Sequence, residues 1–164
     1  MVAEKHSSQV ARSWVGFVVG DVTYAIPIAS VKEIVNPVGL TPVPHAPPAV
    51  VGVVNHRGVV VPIVDLRRRF GLQTSEDRQK AKWIMLDVED RWVGLAVDRV
   101  TEVFGSESSK LGPAPVMGIG DDERGIDGVV QHAGGLVFIL DVSAIGVLTT
   151  NVDVTALRAA AGGG

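Results

Sequence analysis

Val50-Val51-Gly52-Val53-Val54-Asn55-His56-Arg57-Gly58-Val59-Val60-Val61-Pro62-Ile63-Val64-Asp65 is the stretch that decides the fold. Two runs dense in Val and Ile flank the polar tetrad Asn55-His56-Arg57-Gly58. Branched side chains suit the pleated surface of a sheet, and a short Gly-containing break between two such runs marks a β-hairpin with a polar tip. Asp65 closes the second strand and opens a short basic turn, Arg67-Arg68-Arg69, which Gly71 stops. A weaker copy of this hairpin runs from Gly128 to Asp141. Gly52 matches Gly128, His56 matches His132, Gly58 matches Gly134 and Asp65 matches Asp141, all at an offset of 76 (132 − 56) with no gap.

The residues before the hairpin are duplicated too. Trp14 to Val19 reads as a strand, Gly20-Asp21 as a turn and Thr23 to Ile28 as a returning strand. Pro27 within it predicts an edge position or a bulge, because proline cannot donate to a ladder. From Ala29 to Val35 the pattern alternates: Val31, Glu33 and Val35 share one face, Lys32 and Ile34 the other. Trp83 to Phe104 repeats this opening, with Trp14 matching Trp83, Val31 matching Val100 and Glu33 matching Glu102 at an offset of 69 (102 − 33). The change from 69 to 76 means seven extra residues in the second half (76 − 69), and Gly105 to Asp127, rich in Gly, Ser and acids, reads as the loop that holds them.

The remaining segments set the plan. The proline-rich stretch Asn36 to Pro48 is irregular, and Pro47-Pro48 is also compatible with one helical turn over Ala49 to Val53. Gln73 to Lys82 reads as a linker. The expected organisation is a mobile leader over 1–13, a first barrel half over 14–80, a second over 81–150 and a tail over 151–164, with a short helix from Val152 to Ala161. Each half offers about five short strands, enough to curl into a small barrel that removes its open edges. A half of this size buries only about 60% of its unfolded surface, so the two halves are expected to pack together along a seam whose groove is a natural binding surface. The fold class is therefore all-β, two five-stranded barrels in pseudo-symmetric tandem with short helical segments.

Bulk properties exclude several functions. With 46% hydrophobic residues and a mean hydropathy of +0.30, a packed core is expected. No apolar run approaches the roughly 20 residues of a membrane span, and the first residues lack the apolar core of a signal peptide. The absence of cysteine removes disulfides, thiolate chemistry and Cys-based metal sites. These features together predict a cytoplasmic protein. A net charge of −3 and 5% aromatics do not suit nucleic-acid binding, which needs a basic face or stacking platforms.

Three constellations invite chemistry. His56 and His132 would need a third metal ligand, and nothing at matched spacing supplies one. Asp65 and Asp141 are paired by the repeat, as an aspartic dyad would be, yet lack the small Thr-Gly context of such dyads. Strand-ending aspartates that cap the following turn are the plainer account. The glycines of Gly118 to Gly125 do not form a phosphate-cradling fingerprint. Arg67-Arg68-Arg69 reads as a solvated turn, with a patch for an acidic partner as the alternative. No catalytic, cofactor-binding or metal-binding residue is assigned.

Val31-Lys32-Glu33-Ile34, Pro44, Gly52-Val53-Val54-Asn55-His56-Arg57-Gly58, Val61-Pro62-Ile63-Val64-Asp65-Leu66-Arg67 and Phe70-Gly71, in this order and spacing, resemble the core pattern of CheW-like domains. These are the coupling adaptors of bacterial chemosensory arrays, and the similarity covers roughly Trp14 to Leu148. The resemblance implies two SH3-like five-stranded barrels and a function without catalysis. It implies binding to the regulatory domain of a CheA-type histidine kinase and to the cytoplasmic tip of chemoreceptors (methyl-accepting chemotaxis proteins), with recruitment to receptor arrays and no membrane insertion. It also implies functional roles for Glu33 and Arg57. The expected partner-binding residues are Val31, Glu33, Val35, Asn55, His56, Arg57 and Gly58. Two departures stand out: His56 occupies a tip position where the family usually has leucine, and Ala133 replaces the tip arginine in the second copy. A specialised adaptor for motility, localisation or gene regulation, with altered receptor contact, is the alternative within the family. An enzyme using Asp65/Asp141 or His56/His132 is the alternative outside it.

Overall fold

The computed structural model describes residues 13–74, 78–105, 111–112, 125–150 and 152. The expected leader up to Arg12, most of the loop from Gly105 to Asp127, and the helix and tail from residue 153 onward lie outside the described residues. The hairpin that decides the fold is present as β4 (Val50–His56) and β5 (Val59–Asp65). Before it come β1 (Ser13–Val19), β2 (Val22–Pro27), a 3-10 turn (Ile28–Ser30) and β3 (Val31–Val35). After it come α1 (Leu66–Arg69), β6 (Lys82–Val88), β7 (Arg91–Val97), β8 (Arg99–Gly105), β9 (Leu111–Gly112), β10 (Ile126–His132), β11 (Gly135–Leu140) and α2 (Val142–Val147).

Local chemistry explains the joints. Arg57 and Gly58 have φ of 55° and 84°, and Ala133 and Gly134 have 52° and 81°. Positive φ at both central residues is what a type I′ hairpin turn requires, and its twist matches that of the flanking strands. Asn55 Oδ1 accepts from the Gly58 N–H at 2.9 Å and locks the first of these turns. Asp65 caps α1 through Arg67 N and Asp141 caps α2 through Ser143 N, each at 2.9 Å. The duplicated aspartates are therefore helix caps. α2 itself was not anticipated: a six-residue apolar segment gives too little periodicity to read.

Two local expectations are corrected. Ala49 to Val53 is not helical: Val50 N donates to Pro47 O at 2.9 Å, so the prolines form a tight turn that feeds β4. Pairing of the valines with β5 outweighs the helix-starting preference of proline. β2 is not an edge strand but lies between β1 and β11. Pro27 is tolerated because β11 touches β2 only at Tyr24 and Ala25, so the missing N–H falls beyond that ladder.

The strands form two sheets, ordered β8-β1-β2-β11-β10-β9 and β3-β6-β7-β5-β4. Five long strands in each, with few helices, make this an all-β pair of SH3-like barrels. The barrels do not follow the boundary at residue 80, however. Each takes a hairpin from the other repeat: β1-β2 completes the second half's strands, and β6-β7 completes the first half's. The chain crosses between sheets at Ile28–Ser30 and again at Asp98. The repeats interlock through two short parallel contacts, Tyr24 and Ala25 with Phe138 and Ile139, and Ile63 to Asp65 with Gly94 to Ala96.

This exchange buries both faces of most strands. A large cluster joins Val15, Phe17 and Ile26 of one sheet to Val64, Ile84 and Leu95 of the other, and is the seam. On the opposite strand faces lie two clusters confined to one sheet each, around Trp14, Phe104 and Ile139, and around Ile63, Trp83 and Met85. Gly52 shows how tight the packing is. A Cβ there would stand 2.6 Å from the Thr41 carbonyl oxygen, which accepts from Val53 N while Thr41 N donates to Val53 O. Because the obstacle is backbone, it cannot swing away. Gly52→Ala is expected to destabilise the protein by about 1–3 kcal/mol, measurable as a lower urea midpoint at unchanged m.

One ion pair ties the barrels together. Arg67 donates through Nε and Nη2 to the two carboxylate oxygens of Asp98 at 2.8 and 2.7 Å, and through Nη1 to Gln73 O at 2.8 Å. Asp98 also accepts from Gly20 N at 2.8 Å, so β5–α1, the β7–β8 crossover and the β1–β2 turn meet at one carboxylate. Arg67 is thus not a solvated residue as its triplet suggests; Arg68 is exposed. Partial burial pushes Asp98 up, but the hydrogen bonds from Arg67 and Gly20 and the Arg67 charge win and hold it below the ordinary 3.8. The folded state therefore favours ionised Asp98 more than the unfolded chain does. Its contribution is present above the ordinary value and is lost as pH falls through the depressed one. Asp98→Asn is expected to cost about 1–3 kcal/mol at neutral pH. In thermal melts the gap to the unsubstituted protein should narrow below about pH 4; a gap that stays constant with pH would refute this assignment.

Candidate partner-binding site

β3 and β4 are the two ends of the five-stranded order, and side chains from both meet across the opening. Glu33, at the centre of β3, accepts from Arg57 Nη2 on Oε1 at 2.8 Å, while its Oε2 lies 2.8 Å from His56 Nε2. Both carboxylate oxygens are thus engaged by the β4 tip. A bulge in the β3–β6 register between Val31 and Glu33 splits the half-buried face. Val31 packs on the seam cluster and Val35 on the cluster of its own sheet. His56 leans on Trp92, with ring centroids 5.9 Å apart at 42°.

Arg57 projects outward from this clasp. Its side chain is 73% exposed, against 26% for Glu33 and 17% for His56. The guanidinium is planar and carries five N–H donors, so one bond to Glu33 fixes its direction and leaves donors for a carboxylate or a backbone carbonyl of a partner. Gly58 has open space at its Cα, and Val59 beside it is exposed, which adds an apolar element that sequence reasoning did not pick out. Asn55 serves the turn itself.

The second copy keeps the clasp and loses the projection. Glu102 Oε1 lies 2.6 Å from His132 Nε2, and His132 stacks on Phe104 with centroids 4.1 Å apart at 14°. Ala133 occupies the position of Arg57 with nearly the same φ but no side chain to reach back. Glu102 is correspondingly more open, at 57%. The pairing of Glu with His was missed from sequence, although a signal existed: both partners are duplicated, one at each offset. The two histidines lie in different sheets, each engaged by its own glutamate, and the two aspartates cap separate helices. Among the described residues no group of three His, Asp or Glu is placed to hold a metal ion, and no helix is long and apolar enough to cross a membrane.

Two interlocked barrels that present one oriented arginine at a hairpin tip define an interaction module. The chain belongs to the CheW-like domain family, whose model matches residues 13–147. It is similar to the chemotaxis protein CheW of Helicobacter pylori, 33% identical over 143 residues that cover 87% of this chain and 86% of that one. It is also similar to the chemotaxis protein CheW of Rhizobium meliloti, 32% identical over 143 residues, covering 87% and 92%. Among solved structures, the scaffolding protein TtCheW from Thermoanaerobacter tengcongensis superposes with a TM-score of 0.70 at 25% identity, covering 80% of this chain and 89% of that one.

Because Arg57 is exposed and its ion pair sits in solvent, its contribution to stability is small. Arg57→Ala is expected to change unfolding free energy by less than about 1 kcal/mol, with an unaltered far-ultraviolet spectrum. Denaturant titration checks this, and a larger loss would make the arginine a structural residue.

Proposed function

We propose that this chain is a non-catalytic coupling adaptor of a bacterial chemosensory system, which joins chemoreceptors to a CheA-type histidine kinase in the cytoplasm. Family membership over nearly the whole chain supports the adaptor role. The observation that carries the choice of surface is Arg57, held outward by a glutamate of the opposite barrel edge. On this reading Arg57, Gly58 and the exposed edge of β3 form the partner face, Glu33 and His56 orient the arginine, and Asn55 sets the turn. Val31 and Val35 support the strand from beneath.

The mechanism is equilibrium coupling. An adaptor that binds kinase and receptor together shifts kinase activity only as far as its affinity differs between receptor states. Interlocking suits this task, since the two barrels are joined by the chain crossovers at Ile28–Ser30 and Asp98 and by one common core cluster. The specialised adaptor with altered receptor contact is the second reading, and the observation that favours it is His56 at the tip.

The test is binding of the purified chain to its cognate kinase regulatory domain and, separately, to a receptor-tip fragment. Arg57→Ala and Glu33→Ala are expected to weaken kinase binding about tenfold or more while the protein stays folded. Kinase binding without receptor binding, restored by His56→Leu, would select the specialised adaptor. Binding to neither partner would overturn the proposal.

A further inference from the structure

The five-stranded barrel has a second end. The Arg57-Gly58 and Glu89-Asp90 turns lie at one end, whereas Val35, Trp83, Val97, Val64 and Val50 come together at the other. Seven-residue strands separate the two by about 20 Å. At this far end opens a cleft of about 470 Å³, between the segment after β3, the α1 turn and the start of β6. That volume lies in the range of ligand and peptide-anchor pockets.

The cleft is two-faced. Val38 and Leu40 present exposed apolar surface, 63% and 37% accessible, beside the buried Trp83 ring. Arg68, Arg78 and Lys82 line the same space. Among the described lining residues the acids are Asp65, which caps α1 and keeps its charge, and Asp98, whose charge Arg67 matches. Arg68 has no ion-pair partner among the described residues, and Lys82 donates to the neutral amide of Asn36, which leaves its charge uncompensated. Among the described lining residues four cations (Arg67, Arg68, Arg78 and Lys82) face two acids (Asp65 and Asp98), so this apolar-floored cleft carries an excess of positive charge on a chain whose net charge is −3.

We propose that this barrel-end cleft is a docking site for an acidic segment of another protein, separate from the Arg57 tip. One or two aliphatic side chains of the segment sit on Val38 and Leu40, and its carboxylates meet Arg68 and Lys82. A cation pair at the rim steers the acidic partner, and the apolar floor supplies the anchor. The inference stands on the cleft alone and does not depend on the adaptor reading.

The test uses the full chain and fluorescence anisotropy of a labelled peptide of about ten residues, glutamates interrupted by two leucines, a length suited to a short linear motif. Two control peptides replace the glutamates with lysine or the leucines with serine, and vesicles of phosphatidylserine and phosphatidylcholine form a further arm. The acidic leucine peptide is expected to bind. Arg68→Glu with Lys82→Glu should weaken it about tenfold or more, Val38→Ser with Leu40→Ser about threefold or more, and Arg57→Ala should leave it unchanged. Arg68→Glu alone, at an exposed position, repeats the test should the double variant not fold. No binding, equal binding of the lysine peptide, insensitivity to the charge reversals, loss on Arg57→Ala, or binding to vesicles in place of the peptide would each overturn the proposal.

Discussion

The exchange of hairpins between the two repeats is the constraint on which everything else rests. Neither repeat holds a complete sheet. β1-β2 must reach into the second repeat and β6-β7 into the first before either barrel exists. The seam cluster is therefore built from residues distant in sequence, such as Phe17 and Ile84, and its apolar area is buried only when both repeats are in place. For a chain whose halves are each too small to bury an adequate core, this is the physical solution to marginal size.

The same exchange places the polar features. At the crossover of Asp98, where the chain leaves one sheet for the other, a half-buried carboxylate gathers Arg67 and the Gly20 amide. In the first barrel the two end strands are bridged by side chains, Glu33 of β3 with His56 of β4; in the second, Glu102 of the end strand β8 meets His132 of β10, the strand next to β9. Edges without backbone partners are a hazard in sheet proteins, and a side-chain clasp between strands is one way to manage them. The two tips differ at one position of this clasp: Arg57 adds an exposed guanidinium to the first, and Ala133 adds no polar side chain to the second.

A module of this sort has two ends and two openings to offer partners. The tip of the first barrel carries an oriented cation over a rigid hairpin, which favours a specific, geometrically defined contact. The far end carries exposed apolar surface at Val38 and Leu40 beside Arg68 and Lys82. On the two proposals made above, partners at these surfaces would not compete for the same residues.

Much was legible in the sequence, for reasons that are local. Branched residues around a polar tetrad wrote the hairpin, Gly at the second turn position wrote the I′ turn, and Asp65 and Asp141 wrote the caps. The duplication wrote the two-barrel architecture, because equal offsets demand equivalent elements. What the tertiary structure alone decided is non-local. Which hairpin completes which sheet depends on packing both faces of strands as far as 114 residues apart (138 − 24), and no window of sequence contains that information. Likewise nothing in Arg67-Arg68-Arg69 distinguishes its members. The crossover at Asp98 selects Arg67 as the ion-pair partner and leaves Arg68 to solvent, because only the folded chain brings a carboxylate within 2.7 Å of one of them.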